Sequence, residues 1–303
     1  MTRFVSAEGA LAHASTPLVP PACLNCGGPV PGHFCGHCGQ DAHTHRYTLG
    51  HVLHEIPHTV LHVDKGLLYT AKELVLRPAP TLRSFLAGQR APHFRPLAYV
   101  LLLAGVSAFL YTVLHLRPYL PDDPNVGPAG RQLQAQMADG TAKYWRWIAV
   151  GALPLTAFVA WRLLRRAAFT YAEWLVVNAY LLGTASLITM PFFVPYYLFN
   201  GTARMNQVSL CSSAVLIAYQ TWAYAGLLAP AGRSALRRYA RGLLTAVLSA
   251  GALMLLFSGV MYALNWSTAK ESFREIKQLS GKAQKRSTSS PASSPSTGGT
   301  GDR

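Results

Sequence analysis

From residue 97 onward the chain returns five times to an apolar run of 20 to 26 residues: 97–116, 145–164, 174–199, 208–229 and 243–264. A helix rises about 1.5 Å per residue, so roughly 20 residues cross the ~30 Å hydrocarbon core of a bilayer. Inside hydrocarbon a backbone has no water to bond, and a helix satisfies its own polar groups. The expected fold is therefore an all-α membrane protein, with about five transmembrane helices gathered into one bundle over 97–264. Tyr144, Trp145, Trp147, Trp174, Tyr196, Tyr197 and Trp266 stand at segment ends, where aromatic belts form. Pro154, Pro191 and Pro195 predict kinks in the second and third segments. Gly242, Ala246 and Ala250 recur every four residues, a stripe that permits close helix contact. Cys211, alone in an apolar run, reads as a small buried hydrophobe.

Half of the 303 residues are hydrophobic and only 13% are charged, which is too apolar for a soluble domain of this length. The net charge of +15 must then lie in connections and tails, where it reports orientation and attraction to anionic headgroups rather than nucleic acid. Arg146 and Arg162 are counted with the connections they adjoin. The region before Pro96 and the two connections on its side then hold fifteen Lys and Arg, including Arg165, Arg166, Arg237, Arg238 and Arg241, and the opposite connections hold five. This asymmetry predicts a cytoplasmic N-terminus. The basic tail, 265–303, opposes it, since five crossings put its seven Lys and Arg on the far side. Thr268-Ala269-Lys270-Glu271 has the form of a capping box opening a short helix to about Leu279. The Ser/Thr/Pro/Gly run from Ser287 predicts a largely disordered end.

Residues 1–22 are rich in Ala, Pro and Ser, lack the long apolar run of a secretory signal, and read as a disordered lead. Residues 23–40 carry Cys23-Leu24-Asn25-Cys26 and Cys35-Gly36-His37-Cys38, each pair followed by a glycine that suits a tight turn. Four thiolates at this spacing close a tetrahedral site, and a site with no open position is structural: the expected cofactor is zinc, held by Cys23, Cys26, Cys35 and Cys38. Iron and a pair of disulfides are the alternatives.

Residues 41–96 form a His-rich juxtamembrane helical region. From Thr48 the pattern is helical, and His51, His54, Glu55, His58 and His62 fall within about 100° on a helical wheel. Asp64-Lys65-Gly66 ends that helix, a second runs from Leu67 to Leu76, and Thr81 is expected to cap a third. Arg83, Arg90, His93 and Arg95 then lead into the first apolar segment, well placed to meet lipid phosphates. The histidine face, with Asp64, reads as a polar face lying along the headgroups, as a second metal or proton-handling site, or as a pH sensor. His54-Glu55-Ile56-Pro57-His58 also satisfies the spacing of a zinc-peptidase helix, in which two histidines bind metal and the glutamate activates water. Pro57 opposes that reading, since it removes a helical hydrogen bond and clashes with the carbonyl of Leu53.

The two knuckles, His43-Thr44-His45-Arg46, the His54, His58 and His62 set, Asp64-Lys65-Gly66, Gly88-Gln89-Arg90 and Phe94-Arg95-Pro96 together resemble a family of uncharacterised bacterial membrane proteins, domain of unknown function 3667. The resemblance covers roughly Cys23 to Tyr99 and implies a zinc ribbon followed by several membrane helices, with no activity assigned. The expected location is the cell inner membrane, crossed several times from a cytoplasmic N-terminus. The function expected is an interaction, assembly or regulatory module, with the bilayer and its anionic headgroups as partners and a protein partner at the ribbon. Nucleic acid is not expected, because no Lys or Arg lies between Cys23 and Cys38. The alternatives are a membrane-surface metal enzyme built on His54, Glu55, His58 and His62, or a transporter of a small molecule or lipid. Against transport, the apolar runs offer Asn178 and Gln220 as inner polar groups, with Glu173, Arg162 and His115 at their ends.

Overall fold

A computed structural model describes residues 22–42, 44, 46–50, 66–121, 123, 126–229 and 234–289, with side chains to residue 280. Among these residues the regular structure is helical, apart from two single antiparallel bridges in the Cys-rich segment, Ala22 with Pro29 and Phe34 with Asp41.

Helix α1 spans Gly66–Leu76, α2 Pro78–Leu86 and α3 Pro96–Val113. Thr81 does not cap α2: the helix begins three residues earlier, and the Thr81 hydroxyl bonds back to the Arg77 carbonyl at 2.7 Å. Proline explains the start, since its fixed φ suits a first turn and its missing N–H has no helical partner to lose. The same device opens α3 at Pro96 and α4 (Pro128–Gly151) at Pro128. Then follow α5 (Leu153–Leu163), α6 (Tyr171–Thr189), a tighter turn at Met190–Phe192, α7 (Phe193–Leu198), α8 (Arg204–Leu227), α9 (Ala235–Leu264) and α10 (Trp266–Ser289).

Among the described residues three helical runs are long and apolar enough to cross a membrane: α3, the continuous Tyr171–Leu198 run of α6 and α7, and α9. The two other expected segments have different forms. The run 145–164 is divided at Ala152, after which α5 has 11 residues with Pro154 in its first turn. The run 208–229 lies in α8 as far as Leu227, and that helix is 24 residues long but carries Asn206, Gln207, Ser209, Ser212, Ser213 and Gln220. Of α9's most apolar 18-residue window only 17% is buried, and Leu243, Leu244, Val247, Leu248 and Leu255 point outward. Facing water, such a surface would drive aggregation; facing lipid, it is at home. Cys211 shares this outward placement on α8: it is exposed rather than buried, because an apolar helix here keeps one side for lipid.

Helix α6 is the axis of the bundle, with 14 of its 19 residues buried and α1, α3, α5 and α8 packed on it. Gly183 lets α3 close in, since a Cβ there would stand 2.5 Å from the Tyr99 ring. Helices α8 and α9 meet where Gly242 faces the Thr221 carbonyl and Ala246 is fully buried. Tyrosine hydroxyls settle the interior polar groups: Tyr180 donates to the Phe94 carbonyl (2.6 Å), Tyr219 to the Leu74 carbonyl (2.9 Å) and Tyr224 to Asn178 Oδ1 (2.8 Å).

The Thr268–Glu271 sequence does not cap a helix. Helix α10 begins at Trp266, directly after a break at Asn265, and runs ten residues beyond Leu279. It packs along α4, where the Glu275 carboxylate accepts from the Ala129 amide at 3.1 Å. An acidic group there suits the positive end of α4.

Candidate metal centre

Each Cys-x-x-Cys pair folds as the same knuckle, twelve residues apart. Cys23 N–H donates to the Gly28 carbonyl and Gly27 N–H to the Cys23 carbonyl; Cys35 N–H donates to Gln40 and Gly39 N–H to Cys35, at distances of 2.8 to 2.9 Å. The turns close through Gly27 and Gly39, both at φ +74°, where any side chain would be strained. Val30 packs with Cys23 and Cys35 as the small core of this unit.

The four sulfurs lie within 4.8 Å of one another, with Cys23–Cys38 and Cys26–Cys35 each at 3.5 Å. A tetrahedral ion with ~2.3 Å bonds to sulfur has sulfur–sulfur edges of ~3.8 Å, so the donors fit a single ion of that kind. Disulfides would need sulfurs ~2 Å apart. The knuckle amides favour thiolate. Those of Cys38 and His37 hold the Cys35 thiol below its ordinary value, and the Gln40 amide with the Asn25 side chain lowers Cys38 to about 6. At Cys26 the Gly28 amide also favours the thiolate, but the Cys35 thiol, burial and the other two thiols outweigh it and push Cys26 up to about 12. Four negative sulfurs therefore coexist here only around a cation.

The cluster is fixed to the helices through the residue after the second knuckle. Gln40 is buried; its amide nitrogen donates to the Gly88 carbonyl at 2.8 Å, and its oxygen accepts from Arg90 N–H (3.0 Å) and Ala91 N–H (3.2 Å). The first knuckle has Gly28 in the corresponding place, which offers no side-chain hydrogen bond. Leu24 seats the other side: Gly88, at φ +110°, leaves room for its side chain, and a Cβ there would stand 2.8 Å from Leu24 Cδ1. From that loop a column leads inward. The Arg90 guanidinium lies 4.2 Å over the Tyr47 ring, Tyr47 stacks on Phe85 at 5.8 Å, and Phe85 meets Tyr180 of α6 edge-on at 5.1 Å. Beside it, Arg46 forms a two-point ion pair with the buried carboxylate of Glu173, at 2.9 and 3.1 Å.

Of the residues singled out in the sequence, the four cysteines come together. His51, His54, Glu55, His58, His62 and Asp64 lie outside the described residues. Of the basic approach, Arg83 donates to the Gly226 carbonyl, Arg90 covers Tyr47, and His93 lies against Tyr69 and Phe85. Gln40 and the Glu173 partner of Arg46 had no assigned role. Glu173 did leave a mark, because Thr170-Tyr171-Ala172-Glu173 is a capping box and the structure forms it at α6.

Residues 64–108 match a family described as "Protein of unknown function (DUF3667)". The resemblance to that family rests on this segment: α1, α2, the loop that receives the ribbon, and most of α3. No curated protein and no solved structure matches the sequence.

Proposed function

We propose that this chain is a multi-pass protein of the cell inner membrane, with a cytoplasmic zinc ribbon that acts as an interaction or assembly module. The observation that carries this reading is the closed four-sulfur cluster, locked to the bundle by Gln40. All four ligand positions are filled by protein, so the ion contributes shape and stability rather than a reaction. Phe34, on the ribbon's outer side, is 65% exposed, and a large apolar side chain on so small a unit suits a protein contact.

Five crossings are supported by the order of the connections. Arg46–Glu173 ties the start of α6 to the ribbon side, and Arg83–Gly226 ties the end of α8 there. Helices α3, α6–α7 and α9 then lead away from that side, while α4–α5 and α8 return. Exposed Arg165 and Arg166 are the basic residues that meet anionic headgroups on the cytoplasmic face.

The purified full chain should carry one equivalent of zinc. A photo-crosslinking side chain placed at Phe34 in cells should yield a discrete protein adduct, and a reporter active only in the periplasm should be silent after Arg166 and active after Val126. Absence of metal would overturn the ribbon, absence of an adduct the interaction role, and the reverse reporter pattern the orientation.

A further inference from the structure

A cavity of about 200 Å³ lies inside the helix bundle, independent of the ribbon and of any role assigned to it. It runs beside α6 from Asn178 to Thr189, which at the helical rise is about 16 Å. Its walls reach Ala104 of α3 and Ala250 of α9, both near the middle of helices long and apolar enough to cross a membrane. The cavity is therefore at bilayer depth.

Its middle is apolar, formed by Leu181, Ile217 and Leu253. The end nearer the ribbon is closed by polar groups that satisfy one another: Tyr224 donates to Asn178 Oδ1, and Asn178 Nδ2 donates to the Trp174 carbonyl. The other end holds Arg146. Its guanidinium is 5.8 Å from the Phe193 ring, and the titratable groups that act on it are the hydroxyls of Tyr111 and Tyr196. Among the described residues no carboxylate pairs with it. Ser213 and Met254 line the cavity and are exposed on the outer surface of α8 and α9, so the space opens sideways, toward lipid rather than toward water.

An arginine stays charged in any protein environment, and at the end of an apolar cavity it requires a counter-charge or water. Its planar fork matches the oxygens of a carboxylate or phosphate. An apolar chamber with a side door to hydrocarbon and one cation at its end matches a molecule with the same division. We infer that the cavity binds an acyl-chain amphiphile with an anionic head group, the head on Arg146 and the first part of the chain along Leu181 and Ile217. A chamber of about 150 Å³ already holds a benzene, so this one takes the head and the start of the chain, and the remainder leaves between α8 and α9.

The test is native mass spectrometry of the full chain in neutral detergent, titrated separately with oleate, dioleoylphosphatidylglycerol and dioleoylphosphatidylcholine. One equivalent of an anionic probe should bind roughly tenfold or more tightly than the zwitterionic lipid, as loss of one charged pair implies. Preference for oleate identifies a fatty-acid carboxylate, and preference for phosphatidylglycerol a lipid phosphate. Arg146→Gln should erase the preference without changing zinc content. Ala250→Leu, which narrows the chamber and leaves Arg146 in place, should also remove binding, and it decides the matter if the first variant does not fold. Equal binding of all three probes, or an anionic preference that survives Ala250→Leu, would mean that Arg146 is merely hydrated or that the lipids bind elsewhere, and would overturn the inference.

Discussion

Arg46 and Glu173 stand 127 positions apart and share two hydrogen bonds, and the same Glu173 carboxylate accepts from the Thr170 amide at 2.8 Å to cap α6. One buried group thus starts the central helix and holds the segment that follows the ribbon. Glu173→Gln keeps the shape but removes the charge, so it should weaken that hold by about 1–3 kcal/mol. Glu173→Ala should cost about 1 kcal/mol more by removing the cap. Melting temperatures in detergent should fall in the order wild type, Gln, Ala; a Gln variant as stable as wild type would show that the exposed Arg46 guanidinium contributes nothing.

Gln40→Ala leaves the Gly88 carbonyl and the Arg90 and Ala91 amides without their partner. The ribbon should keep its metal but lose its fixed seat, at a cost of about 1–3 kcal/mol. Hydrogen exchange at residues 88–91 should accelerate while bound-metal content stays unchanged. Unaltered exchange would mean that Leu24 and Gly88 alone hold the ribbon.

Replacing Cys26 and Cys38 with serine should abolish bound metal and leave membrane insertion intact, since the apolar helices do not depend on the ribbon for their own hydrogen bonds. A variant that still carries a full zinc equivalent would place the metal elsewhere.

His54→Gln with His58→Gln should not change the metal content, because glutamine preserves hydrogen bonding but is a poor zinc ligand. Loss of a second equivalent with the ribbon intact would establish a metal site in the histidine cluster, and peptidase activity abolished by Glu55→Gln would make it an enzyme.

Burial against Tyr69 and Phe85 holds the His93 imidazole below its ordinary value of 6.5, and the Glu73 carboxylate offsets this only in part. The unfolded chain therefore takes up the proton first. The contribution of His93 is whole above about pH 6.5 and is lost as pH falls from there toward the lower folded value. Acidification from about pH 7 to about pH 5 should lower the melting temperature of wild type more than that of His93→Phe; parallel curves would remove His93 from the account.

What could be read in advance was what depends on neighbours in sequence. Cys-x-x-Cys-Gly specifies a knuckle within six residues, and the lengths of 97–116 and 243–264 announce helices of membrane dimension. Pro78 likewise marks where α1 has to stop, but its positive role as the first residue of α2 competes with Thr81 for the same helix start, and the proline wins. Other features depend on distant partners. Nothing near Gln40 tells that its amide meets Gly88, and nothing near Arg146, at the edge of an apolar run, tells that it faces a chamber formed with α6, α8 and α9. Cys211 was misplaced for a different reason: in a membrane helix apolar character does not distinguish the side facing protein from the side facing lipid.

The pairing of Arg46 with Glu173 also imposes an order on biogenesis. The ribbon and its basic successor leave the ribosome long before α6 exists, so during synthesis the N-terminal segment has a knuckle fold available but no carboxylate to grip. It can complete its seat only after the third apolar run has been delivered to the membrane, and the late arrival of Glu173 makes that seat a record that the central helix is in place.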